Sequence, residues 1–239
     1  MNKRLALVIG FSLCAMSLPA QTEIATPEPS KLFIHGGIFG SANLHNASFT
    51  QLPGVPECCV TYGSRLGFGG ALVIGMEYDP TYSLVGLPMR AGASLSYSLL
   101  TGALHETEFV GNIIRGQDVA RGLTEHRIAA NYGIVAIEPY VALGFPFVKG
   151  LHMKLGMIAG IPLSKSYEQS ELLLQPDGVD WTFENGSRTR GSIAGPLPST
   201  EPLYLAGLFG VRYELHTSRL LSVTPEIQYQ HAFTSVVRN

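Results

Sequence analysis

Residues 65–79 read RLGFGGALVIGMEYD, and their side chains divide by parity. The even positions are Leu66, Phe68, Gly70, Leu72, Ile74, Met76 and Tyr78. The odd ones are Arg65, Gly67, Gly69, Ala71, Val73, Gly75, Glu77 and Asp79. Successive residues of a strand point to opposite faces, so this stretch predicts a strand with one greasy face and one small or charged face. A helix would instead need apolar residues three and four apart.

The same division recurs along the chain. In residues 84–100, Val85, Leu87, Met89, Leu95, Tyr97 and Leu99 oppose Gly86, Arg90, Gly92, Ser94, Ser96 and Ser98. Over residues 134–147, Val135, Ile137, Val141, Leu143 and Phe145 oppose Glu138, Tyr140, Ala142 and Gly144. Residues 151–164 set Leu151, Met153, Leu155, Met157 and Ile161 against His152, Lys154, Gly156 and Gly160. Residues 203–215 set Leu203, Phe209, Val211 and Tyr213 against Ala206, Gly210, Arg212 and Glu214. Residues 220–234 set Leu221, Val223, Ile227, Tyr229 and Phe233 against Ser222, Thr224, Glu226, Gln228 and Gln230. The least regular is residues 31–46, where Phe33 and Phe39 fall on the face of His35 and Asn43. Seven strands are recognisable.

Such strands fit two settings. A soluble sandwich turns its apolar faces inward, whereas a membrane barrel turns them to lipid and keeps a polar interior. Three features favour the barrel. The strands often exceed the roughly 9–11 residues that a tilted membrane strand requires. The other face is mostly glycine, serine and alanine with isolated charges, which suits a cramped lumen. The joins also alternate: long around residues 50–64, 101–126 and 170–201, short near 79–83, 148–150 and 216–219.

Composition agrees. The chain has 239 residues, 14% of them charged, against about 25% in a typical soluble domain, yet 46% hydrophobic with a mean hydropathy of +0.20. Beyond the first twenty residues no apolar run approaches the roughly 18 that a membrane helix needs. A net charge of -2 gives no reason to expect nucleic acid.

Residues 1–20, MNKRLALVIGFSLCAMSLPA, have the cationic start, apolar run and small-residue end of an export signal peptide. Leu18 stands where a small residue is preferred before a cut after Ala20, and a cut after Ser17 is an alternative. Residues 21–30 read as a flexible periplasmic lead-in. Residues 31–239 form the expected barrel. A first strand leaving the periplasm places the long joins outside.

Inside, the charges Glu77, Arg90, Glu138, Lys154, Arg212, Glu214 and Glu226 share the inward face and have opposite signs at comparable depth. A barrel of about eight strands has an interior that side chains can fill. The expectation is a plugged lumen with paired charges. A narrow pore lined by the acidic excess is the alternative, as is a lipid-modifying enzyme using His105, His126, Ser166 and Ser170 at the outer rim. Ordinary polar rim residues are the plainer reading of those four. No Gly-x-Ser-x-Gly turn is present, and after Gly67-Phe68-Gly69-Gly70 the alternation continues where a phosphate loop would open a helix. His35 and His45 lie about 33 Å apart along a strand and cannot share a metal. Neither enzyme activity, nor a cofactor, nor a metal site is expected.

The first outer loop carries PGVPECCVTYG, with Cys58 beside Cys59. Two thiolates do not make a zinc site, which typically needs four ligands. In a disulfide-permissive compartment, the pair reads as a vicinal disulfide or, alternatively, as links between molecules. In the longest loop, Trp181, Phe183, Asn185 and Arg188 are candidates for recognition or for interfacial anchoring.

PGVPECC before a glycine-alternating strand, then TEHR, EPYVAL, TFENGSR, VTPEI and VVRN, together resemble the outer-membrane protein beta-barrel domain family of Gram-negative bacteria. That resemblance implies an all-β, up-and-down antiparallel transmembrane β-barrel of eight strands in the bacterial outer membrane. It also implies a final strand ending in an aromatic residue that the barrel assembly machinery reads. Here the sequence closes on Ser235-Val236-Val237-Arg238-Asn239, so the expectation is that the C-terminal strand is missing or that the count of seven is one short. The resulting expectation is a monomer embedded in outer-membrane lipid, with a structural or surface-interaction role and loops open to an extracellular ligand or partner.

Overall fold

A computed structural model describes residues 7–20, 31–45, 62–63, 65–80, 83–84, 87–115, 117–178, 181–183, 185–197, 200–218 and 221–234. The elements are β1 (Leu7–Ala20), β2 (Lys31–His45), β3 (Arg65–Asp79), β4 (Ser83–Leu84), β5 (Leu87–Arg115) and β6 (Asp118–Gly144). They continue with β7 (Leu151–Gln175), β8 (Thr189–Pro196), β9 (Tyr204–Tyr213), β10 (Leu215–His216), β11 (Ser222–Val223) and β12 (Glu226–Ala232). There is no helix among the described residues. The parity pattern therefore set the secondary structure, and all seven strands read from it are present.

They form one curled antiparallel sheet. Consecutive long strands pair in the order β2, β3, β5, β6, β7, β9, β12, as an up-and-down meander requires. The part of residues 1–20 that the structure describes is also a strand. β1 lies between the two ends of the meander, paired with β12 on one side and β2 on the other.

The faces are inverted relative to a water-soluble domain. Phe68, Leu72 and Ile137 on the outer face are 64%, 62% and 58% exposed, whereas Glu77 and Lys154 inside are each 3% exposed. Leu155 and Phe209 are also exposed, and Met89 is half-buried. This apolar exposure recurs on each long strand from β2 to β12, unlike the scattered apolar residues of an ordinary soluble surface.

Two glycines mark where backbone or side chains come too close for a Cβ. Gly150, in the short turn between β6 and β7, has φ +83°, and a Cβ there would lie 2.7 Å from the Glu214 carbonyl oxygen. A Cβ on Gly92 of β5 would lie 2.5 Å from the Tyr140 ring, so the missing side chain makes room for that ring inside.

Three strands run much further than the alternation suggested. β5 pairs with β6 from Met89 opposite Leu143 to Arg115 opposite Asp118. The long outer join expected around residues 101–126 is thus mostly paired strand, with the turn confined near residue 117. Its two faces are both mixed: Glu106 and Glu108 share one with Val110, and His105 and Thr107 share the other with Phe109. Without a greasy face the period of two carried no contrast. Likewise β7 continues to Gln175 and is joined by β8, so part of the expected 170–201 loop is sheet.

Candidate functional site

The inward face places six of the seven sequence-derived charges in one network at the short-turn end. β3 supplies Glu77, β5 supplies Arg90, β7 supplies Lys154 and β9 supplies Arg212. Glu214 follows β9, and Glu226 opens β12. Antiparallel register brings them together. Arg212 stands opposite Glu226 on one side and His152 on the other. Their convergence follows from the strand order, because each is an inward position within a few residues of a short turn.

Glu77 is the hub. Arg212 donates from Nη2 to Glu77 Oε1 at 2.7 Å, and its Nη1 lies 2.6 Å from Oε2, a two-pronged contact. Tyr140 donates its hydroxyl to Glu77 Oε2 at 3.0 Å. Arg90 Nη1 bridges Glu77 Oε1 at 3.3 Å and Glu214 Oε2 at 3.0 Å, with its Nε 3.4 Å from Asp79 Oδ2. Ser222 donates to Glu214 Oε1 at 3.3 Å, and His152 Nε2 lies 3.7 Å from Oε2. One step further in, Lys154 Nζ lies 3.1 Å from Glu226 Oε1, which also accepts from Gln228 Nε2 at 2.6 Å. Lys154 Nζ stands 4.4 Å from the Tyr140 ring centroid, and the Arg90 guanidinium stands 4.9 Å from that of Phe33. Buried charges persist only when paired and hydrogen-bonded, and this set meets both conditions.

Glu138 is placed differently. It is buried, but it lines a second cavity of about 30 Å³ with Ser41, Ser98, Gln228 and Gln230. The first cavity, about 40 Å³, lies in the charge network itself. Phe39 and Val73 line both. By the size of one water, each holds only a few.

Toward the long-strand end the interior turns apolar. Ile134 and Ala136 of β6, Ile158 of β7, and Tyr204, Ala206 and Leu208 of β9 pack as one cluster. Beyond it, Tyr62, wholly buried, packs with Ile128, Tyr132, Tyr167 and Leu197. The interior is thus charged at one end and capped by aliphatic and aromatic groups at the other. Sequence reading placed glycine, serine, alanine and charges on this face and did not anticipate the apolar cap. It placed Tyr140, Asp79 and His152 on this face but left them out of the charge set. Their signal was available: each shares parity with a neighbouring charged position, Glu138, Glu77 and Lys154 respectively.

The remaining sequence candidates sit elsewhere. Cys58 and Cys59 lie outside the described residues. Arg188 is an internal clamp: Nη1 donates to the carbonyls of Pro176 at 3.0 Å and Gly178 at 2.7 Å, and Nη2 to those of Leu173 at 2.8 Å and Leu174 at 3.2 Å. Asn185 accepts from the Ser187 amide and donates to the Thr189 carbonyl, each at 3.0 Å, while Phe183 lies under Arg190 at 4.3 Å. Trp181 is half-buried. At the rim, His105 and Ser170 flank Arg127 on either side, two strand spacings apart, or about 9–10 Å. His126 stands opposite Glu171, one position from Ser170 and therefore on the other face, and Ser166 stands opposite Asn131. His126 Nε2 lies 3.6 Å from Glu108 and 4.0 Å from Glu171. Neither His105 nor His126 stands directly opposite a serine: Arg127 separates His105 from Ser170, and His126 faces Glu106 and Glu171.

No family model, curated protein or solved structure matches this chain.

Proposed function

We propose that the chain is an outer-membrane β-barrel protein that anchors an external sheet and leaves its own lumen shut. The observation that carries this reading is the inversion of faces. A belt of Leu, Ile, Phe and Met points outward around a curled meander whose interior holds Glu77, Arg212, Lys154 and Glu226. Each large apolar side chain left in water forgoes about 1.5–3 kcal/mol of burial, and whole proteins are stable by only about 5–15 kcal/mol. Lipid hydrocarbon around the belt removes that deficit.

The shut lumen follows from what fills it. At the short-turn end carboxylates and cations satisfy one another, and toward the other end Tyr62, Tyr132 and Tyr167 pack in one buried cluster. The cavities in the charge network and beside Glu138 are about 40 and 30 Å³, too small for more than a few waters each. The role this supports is structural or contact-making, performed by the β5–β8 sheet on the extracellular side, with assembly by the outer-membrane insertion machinery and a monomeric state.

The test is a pair of measurements on protein expressed in a Gram-negative host. Outer-membrane fractionation with heat-modifiable gel migration is expected to give a folded band that shifts on boiling. A water-soluble protein with no shift ends the reading. Planar-bilayer recording is expected to be silent, and steady single-channel steps would replace the closed lumen by a narrow pore.

A further inference from the structure

We infer that Leu7–Ala20 is the closing strand of the barrel and stays in the assembled protein after serving as its export signal. The inference rests on the barrel reading above, because only in lipid must every edge be paired.

The meander from β2 to β12 has seven members, so its first and last strands run the same way. Lys31 of β2 lies opposite Asp79, and Glu226 of β12 lies opposite Arg212, both at the short-turn end. Two such edges cannot join each other antiparallel. One further strand running the opposite way is needed, and β1 runs that way, from Leu7 opposite His231 to Ser17 opposite Ser222.

Register supplies the second step. β1 pairs with β12 over Leu7–Ser12, and with β2 from Val8 opposite Asn43 to Ala20 opposite Leu32. Ile9 and Phe11 lie opposite Ala42 and Gly40, on the row of β2 that carries the exposed Ile34 and Ile38. A straight continuation would put Leu13 on that row and then Ala15, Ser17 and Pro19. Instead the register shifts between Ser12 and Ala15. Past that bulge Met16, Leu18 and Ala20 fall opposite Gly36, Ile34 and Leu32. One extra residue therefore moves the segment from an odd to an even apolar phase. Ser12 and Ser17 fall opposite Phe39 and His35, on the inward row. An apolar leader has no need to follow the two-residue period of the seam it borders.

Third, the sequence around the cut is poor. Leu18 occupies the position where processing prefers a small side chain before Ala20.

The experiment uses the untagged full chain, expressed with its own N-terminus and recovered from the outer membrane. Intact mass of the folded, heat-shifting band is expected to match the chain from Met1, 25.7 kDa. In a background of Cys14→Ser, Cys58→Ser and Cys59→Ser, the pairs Ile9→Cys with Tyr229→Cys and Ile9→Cys with Ala42→Cys are each expected to form a disulfide within one molecule. A folded band that begins near residue 18 or 21 overturns the inference and leaves the barrel reading standing. Cross-links that join two molecules overturn closure by the chain's own segment. A protein that never enters the outer membrane overturns both readings, and fractionation alone reports that outcome.

Discussion

Arg212 and Glu77, 135 positions apart in sequence, face each other with two nitrogen–oxygen contacts of 2.7 and 2.6 Å inside the sheet. The carboxylate also accepts from Tyr140 and Arg90, so a β3 residue joins three strands at once. Removing one member of a buried pair leaves the other charged and unmatched, at a cost of about 3–5 kcal/mol. Arg212→Ala is expected to destabilise the folded band, measured as the urea midpoint of the heat-modifiable form in lipid, by no more than that amount, because Arg90 and Tyr140 stay on Glu77. Glu77→Ala with Arg212→Ala should recover part of the loss, which a purely additive effect would not allow.

A second prediction concerns the belt. An arginine on the lipid face of a membrane barrel costs about 2–4 kcal/mol near the midplane. Leu72→Arg should therefore lower stability in lipid vesicles by that range. If Leu72→Arg instead improved solubility without loss of fold, the outward face would be wetted and the membrane reading wrong.

Gly92 tests the packing of the hub from another side. Its missing Cβ leaves space for the Tyr140 ring, 2.5 Å from where that atom would sit. Gly92→Val is expected to displace Tyr140 and break its hydrogen bond to Glu77. Tyr140→Phe removes the same bond without the clash. The prediction is that Gly92→Val lowers the urea midpoint more than Tyr140→Phe does.

Arg188 is expected to matter only locally. Its guanidinium ties the carbonyls of Leu173 and Leu174, at the end of β7, to those of Pro176 and Gly178 in the turn that leads to β8, and hydrogen bonds to charged groups contribute about 1.5–3 kcal/mol each. Arg188→Ala should expose residues 174–190 to limited proteolysis while the heat-modifiable barrel band keeps its midpoint. Equal protection in the variant would mean that the β7–β8 turn is held by something else.

How far the sequence could be read depended on contrast between faces. Between Leu66 and Tyr78 the two faces differ so sharply that bounds and sidedness both followed, and Glu77 fell inside as parity required. Above Leu100 of β5 the contrast fades. Glu106, Glu108, His105 and Thr107 give neither face a preference, and a paired strand read as loop. Joining Glu77 to Arg212 and Glu214 needed the strand order as well as parity, and the meander provided it. The apolar cap was illegible for another reason. Tyr62 comes from the first loop and Leu197 from the third, and nothing local in either stretch marks a residue that will fold back over the opening. The seam held by Leu7–Ala20 was hidden because an export signal and a strand of apolar residues draw on the same composition.

The length of β5 has a mechanical side. Thr101–Arg115 lies beyond the last rung that β5 shares with β3, and fifteen residues at about 3.3 Å each make a ribbon ~50 Å tall. Phe109 stands about midway along it under the Arg121 guanidinium, 3.9 Å from the ring centroid. Such a mast carries its tip far beyond the last rung of β3. It also transmits force stiffly, since a tug at the tip is carried down rungs of hydrogen bonds into β6 and β7 instead of being lost in slack chain.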